Sequence, residues 1–215
     1  MKVLVLGLPR TGTQSLADAL TELGVLPIYH MREVGKSGHA QLWIQALEAK
    51  YEGQGDGWER QQFEQILAGY QGVADFPAAL FPEELIKAYP EAAIILTSRS
   101  EDSWCESMMS TLWHAHSNSK ANPDAPMTIM RMKYHMHCWG NDFPNQGREH
   151  FRKHNDLVRS LGQGREFLEF DAKTGWSPLR EFLGLPAVDE AKPFPRSDDW
   201  AEYKKMVQEQ KQAQS

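Results

Sequence analysis

Two cysteines in 215 residues, Cys105 and Cys138, are too few for a disulfide framework. Their scarcity excludes the stapled secreted scaffolds and fits a reduced, cytoplasmic protein. No apolar run approaches the ~18 residues that a membrane span requires. The apolar opening V-L-V-L-G-L stops at Pro9-Arg10, too soon for a signal peptide and without a small-residue cleavage site. Positive charge is in deficit: 23 Lys and Arg stand against 29 Asp and Glu, a net charge of −6. That balance speaks against nucleic acid as a partner. No internal repeat and no linker divides the chain. Residues 1–199 read as a single domain, and 200–215 as a polar tail expected to fray.

What is present alternates. Apolar runs at V-L-V-L-G-L (3–8), V-L-P-I-Y-H (25–30), G-V-A-D-F-P (72–77), A-A-I-I-L-T-S-R (92–99) and E-F-L-E-F-D (166–171) read as strands. Between them lie stretches of helical spacing: one from Ser15 to a stop at Gly24, another over 38–68 broken at G-Q-G-D-G, and F-P-E-E-L-I-K-A-Y-P closed by Pro90. The pattern predicts an α/β fold, a three-layer P-loop architecture with a central parallel sheet of about five strands flanked by helices. Residues 113–147 break it, being rich in His, Met, Asn, Pro and Trp with weak periodicity. They are expected to form a lid over the acceptor of whatever group is transferred.

The stretch G-L-P-R-T-G-T-Q-S, residues 7–15, joins the first strand to the first helix. Such a turn aims successive backbone N–H groups, and the positive end of a helix, at one point. A nucleotide hydrolase would place a lysine after the second glycine. Here Thr13 stands there, and Arg10 supplies the cation. A glycine turn that binds nothing is the plain alternative. A P-loop phosphotransferase or NTPase is another, but it requires the missing lysine and magnesium.

P-R-T-G-T resembles the 5′-phosphosulfate loop of the sulfotransferases that use 3′-phosphoadenosine 5′-phosphosulfate (PAPS). A second motif of that family, an arginine ending a later strand and a serine eight residues on, is matched by Arg99 and Ser107. Tyr29-His30-Met31, Asp75-Phe76-Pro77, Tyr89-Pro90, Gly175-Trp176-Ser177-Pro178-Leu179 and Phe194-Pro195-Arg196 extend the likeness over about residues 3–199. Many relatives carry a cysteine where this chain has Arg180. The resemblance implies sulfuryl transfer from PAPS to a hydroxyl or amine of a small-molecule acceptor, leaving adenosine 3′,5′-bisphosphate, with no metal required. It implies that Pro9, Arg10, Thr11, Gly12, Thr13, Gln14 and Ser15 hold the 5′ side of the donor. Arg99 and Ser107 would hold the 3′-phosphate, with Arg196 in a late basic loop beside Lys192.

In cytosolic members of that family the base is a histidine at a strand end, and the matching position here is Asp75. Asp75 and Arg10 are therefore the expected catalytic residues. The alternative for Asp75 is a turn cap or a structural ion pair. His30, Trp113 and His135 are the candidate acceptor contacts, although a satisfied core histidine also describes His30. Two H-x-H pairs, His114/His116 and His135/His137, raise a zinc alternative, but H-x-H fits a strand better than a helix and no ligand framework accompanies it. A non-catalytic binding module that keeps the fold is the remaining alternative. The basic run Arg148, Arg152, Lys153 and Arg159 reads as a solvated helix face.

Overall fold

Each apolar run read as a strand is one. In the computed structural model, which describes residues 1–185 and 192–213, they are β1 (Val3–Val5), β2 (Ile28–Tyr29), β3 (Gly72–Ala74), β4 (Ala93–Thr97) and β5 (Phe167–Phe170). They form one parallel sheet in the order β2-β3-β1-β4-β5. The chain winds from β1 to one edge, crosses back over β1, and finishes at the other edge. In open sheets of this kind ligands bind beyond the carboxyl ends of the strands. All the candidate site residues near the sheet leave it at that end.

Alternate residues of the strands feed opposite faces, as the two-residue period requires. Leu4, Leu6, Val73, Ile94 and Leu96 pack into one core with Trp43, Phe63 and Trp104. Val3, Val5, Ala74, Ile95 and Phe170 pack into the other with Leu16, Leu20, Trp176 and Leu179. Helices α1 (Thr13–Glu22) and α10 (Trp176–Phe182) cover the second face. The first face carries α3 (Ala40–Glu52), α4 (Arg60–Leu67), α5 (Pro82–Ala88), α6 (Glu101–Met109), α8 (Pro126–Trp139) and α9 (Phe143–Leu161). Short helices α2 (Met31–Lys36) and α7 (Leu112–Ser117) complete the cavity side.

Three features become clear at this level. Both H-x-H pairs sit on helices, α7 and α8, where residues two apart point to different sides. The weak periodicity of 113–147 has a cause: α8 buries Met130, Tyr134 and Cys138, yet also lines a cavity, so no face is uniformly polar. The polar end of the chain is helical over α11 (Ala201–Ala213), with Val207 buried and the Tyr203 hydroxyl 2.9 Å from His114 Nδ1. The basic run on α9 is, as expected, a solvated face: Arg148, Arg152, Lys153 and Arg159 pair with Glu101, Glu149, Asp156 and Glu169.

Candidate active site

The turn after β1 is held from outside by its carbonyls. Leu8 O accepts from Thr11 Oγ1 at 2.6 Å, Pro9 O from Trp104 Nε1 at 2.9 Å, and Arg10 O from an Arg99 N–H at 2.9 Å. Thr11 Oγ1 also lies 2.6 Å from Thr97 Oγ1, tying the turn to the end of β4. That approach leaves no room beside Gly7, where a Cβ would come within 1.9 Å of Thr97 Oγ1. Gly12 (φ 100°) and Arg10 (φ 71°) are left-handed. Glycine adopts this freely, while arginine does so at a cost that proteins concentrate in functional turns. Because the first intrahelical bond of α1 is Leu16 N–H to Gly12 O, the N–H groups of Thr13, Gln14 and Ser15 have no helix partner. Unpaired N–H groups at a helix start have the arrangement of an anion nest.

Two guanidinium groups flank the nest from adjacent strands. Arg10 Nε donates to Ser107 Oγ at 3.1 Å, and its terminal nitrogen pairs with Asp198 at 2.9 Å. Arg99 is fixed by the Arg10 carbonyl and by Ser103 Oγ. Burial, and then the nearby charge of Arg10, pull the Arg99 pKa below the ordinary arginine value. Two cations brought this close are relieved by an anion between them. The structure thus brings Arg10, Arg99 and Ser107 together, with Ser107 touching Arg10 and Ser103 touching Arg99. Ser103 was missed by sequence reasoning, although its position one helical turn after Arg99 was a usable signal.

The segment after Lys192 folds over this loop. Ser197 N–H donates to Ser15 Oγ at 3.2 Å, Asp199 N–H to Gln14 Oε1 at 3.2 Å, and Ser197 Oγ to Asp18. Asp198 joins Arg10 and Lys204; although burial opposes it, these two hold its carboxyl below the usual range. Arg196 is exposed in the cavity wall, while Lys192 pairs with Glu22 at 2.7 Å.

Next to the loop, the ends of β2 and β3 meet. His30 caps α2, its Nδ1 accepting from Arg32 N–H at 3.4 Å. In its neutral form the proton is therefore on Nε2, which lies 3.3 Å from Asp75 Oδ2. Burial outweighs the attraction of Asp75 and lowers the His30 pKa. Asp75 is buried and left-handed (φ 71°). Its Oδ1 has no protein partner among the described residues. Among the described residues its carboxyl makes no backbone contact of the kind a turn cap needs, because the turn closes instead through the Asp75 carbonyl to Ala79 N–H. Tyr134, whose hydroxyl is also buried without a partner, stands close enough for Asp75 to add to the upward pKa shift that burial causes.

These residues share one cavity of about 1760 Å³. A single small-molecule site occupies roughly 300–1,000 Å³, so the space suits two ligands side by side. Leu112 and, from the stretch 113–147, Ala115, Met127, Thr128, Tyr134 and His135 line its wall. Trp113 is not in that wall: it packs on Phe143, His116 and His135. His135 is fully buried beneath His116, their rings 3.8 Å apart. His137 pairs with Glu52 at 2.9 Å. Among the described residues no group of three or more His, Cys, Asp or Glu could hold a metal ion.

Two arginines beside free helix amides, and a buried His–Asp pair, share one large cavity on a P-loop-like α/β fold. The sequence profile of the sulfotransferase domain matches residues 2–203, and the chain belongs to that family. It is 39% identical over 235 aligned positions to "Ava biosynthesis cluster protein M" of Aspergillus versicolor, covering 97% of this chain and 89% of that protein.

Proposed function

We propose that this sulfotransferase-family protein transfers a sulfuryl group from PAPS to a hydroxyl or amine of a small acceptor. The observation that carries this reading is the pair Arg10 and Arg99, held at the ends of adjacent strands beside free helix amides. Thr13 at the lysine position of a hydrolase loop argues against holding a γ-phosphate through magnesium. When bound, PAPS supplies the sulfuryl group and a 5′-phosphate leaving group.

The residues then divide the work. The amides of Thr13, Gln14 and Ser15, with Arg10, take the charge that grows on the leaving oxygen as the sulfur–oxygen bond breaks. Arg99 and the serines around it hold the 3′-phosphate, where a fixed planar guanidinium suits a dianion. Asp75 Oδ1 takes the proton of the attacking hydroxyl as its oxygen bonds to sulfur. His30, neutral, with its Nε2 3.3 Å from Oδ2, stands beside the other carboxyl oxygen and helps to position it. Free Cys105 and Cys138 suit a reducing compartment such as the cytoplasm.

Titration calorimetry tests the donor assignment: adenosine 3′,5′-bisphosphate should bind at least ten-fold more tightly than ADP or ATP, with or without magnesium. Equal affinity for ATP and magnesium dependence would favour a phosphotransferase. Tight nucleotide binding with no labelled-sulfate transfer to phenols, alcohols, amines or sugars would favour a binding module.

A further inference from the structure

Of the eight Lys and Arg side chains in the cavity wall, four meet carboxylates. Arg10 and Lys204 meet Asp198, Arg32 meets Asp18 at 2.8 Å, and Lys192 meets Glu22. Among the described residues Arg99, Lys173, Arg196 and Arg131 meet none, and of these Arg131 is the one carried by α8. Among the described residues its hydrogen-bond partner is the Ser119 hydroxyl, at 2.6 Å, and no carboxylate lies within ion-pair distance. Its Nε is buried without a partner.

Two imidazoles stand beside it with the same deficit. Trp139 Nε1, which can only donate, gives its proton to His135 Nδ1 at 3.0 Å. The His135 proton is therefore on Nε2, a buried N–H with no partner among the described residues. His116, stacked on His135, has an unpartnered buried Nδ1. Burial first, with the Arg131 charge contributing, keeps both rings neutral, His135 down to about 3. The cluster thus offers one fixed positive charge and the unsatisfied N–H of His135, with no anion among the described residues to meet them. A buried polar group without a partner is costly, and sites built to hydrogen-bond a ligand group carry such groups when empty of it.

We infer that Arg131, with the His116–His135 pair behind it, binds a carboxylate of the acceptor. The inference rests on reading this cavity as the acceptor site. It defines the substrate class as hydroxy acids: a hydroxyl presented to Asp75, a carboxylate to Arg131, and between them an apolar body against Phe76, Leu112 and Met127.

The test uses 4-hydroxybenzoate, 4-hydroxyphenylacetate and 3-(4-hydroxyphenyl)propanoate, each against its methyl ester. Affinity is measured by calorimetry on the full chain, alone and saturated with adenosine 3′,5′-bisphosphate. At least one acid should bind about 10- to 100-fold more tightly than its ester, the range of a charge-assisted contact. Arg131→Gln should abolish that preference. Arg131→Lys, which keeps the charge but loses the planar fork, should retain part of it. The inference is overturned if no acid outperforms its ester, or if the preference survives Arg131→Gln undiminished. The half-exposed position of Arg131 makes both variants safe for folding, which a melting curve verifies. Nucleotide affinity reports separately on the donor site, so a protein that ignores the nucleotide still answers the carboxylate question.

Discussion

Asp75→Asn is the substitution that most sharply separates chemistry from structure. Asn tolerates the left-handed backbone that Asp75 adopts (φ 71°) about as well as Asp does. It has the same shape, so its amide fits the place beside His30 Nε2 that the carboxyl fills, 3.3 Å away. Because the carboxyl caps no backbone N–H, the fold should lose little. What Asn cannot do is take a proton. A positioned base contributes about 10²–10⁴-fold, so the barrier should rise by roughly 2.7–5.4 kcal/mol. Labelled-sulfate transfer to phenol should fall by that factor, and transfer to 4-nitrophenol by less, since the more acidic hydroxyl needs less help. Adenosine 3′,5′-bisphosphate affinity and melting temperature should match the parent. His30→Gln is the internal comparison: as an orienting group it should cost less than Asp75→Asn. Parent-like turnover in Asp75→Asn would refute the assignment. A larger loss in His30→Gln would move the base to His30.

Arg99→Ala should weaken nucleotide binding by about 1.5–3 kcal/mol, the worth of hydrogen bonds to a charged group, whereas Arg10→Ala should depress turnover more than binding; calorimetry beside steady-state kinetics distinguishes them. Asp198→Asn frees Arg10 and removes a negative charge from the anion site. With Asp198 28% exposed, screening leaves about 1 kcal/mol, or roughly five-fold tighter nucleotide binding, and weaker binding would show that Asp198 positions Arg10 for the ligand. Acid should destabilise the protein. His135 titrates at about 3, and His150 and His154 at about 4, all lowered chiefly by burial. The unfolded chain takes those protons near pH 6.5. Stability is therefore whole above that pH and lost below it, by up to about 1.4 kcal/mol per pH unit for each group. Denaturant titrations at pH 7, 6 and 5 measure the slope, and a flat profile would contradict it.

The sequence by itself determined the sheet and the turn after β1, because both are written in contiguous residues. Five apolar runs can be buried on both faces only as strands of a covered parallel sheet. G-L-P-R-T-G-T sets its own turn through Gly7 and Gly12 and is followed at once by a helix. Arg99 was legible because it ends a strand whose length the apolar run fixes. The rest of the cavity wall was not, because its side chains come from elements far apart in the chain. Trp113 and Tyr134 are both lid aromatics, and nothing local tells that the first faces the core and the second the cavity. Spacing places the two H-x-H pairs on no particular surface, since the turn of α7 and α8 decides which ring is buried. Only the strand order, with β2 beside β3 and β1 beside β4, puts His30 against Asp75 and Arg10 against Arg99. The return of Arg196–Trp200 over the loop adds Asp198, a residue that any local reading leaves on the surface. Which charges meet is decided by crossovers between strands, and a crossover has no signature in the residues that it brings together.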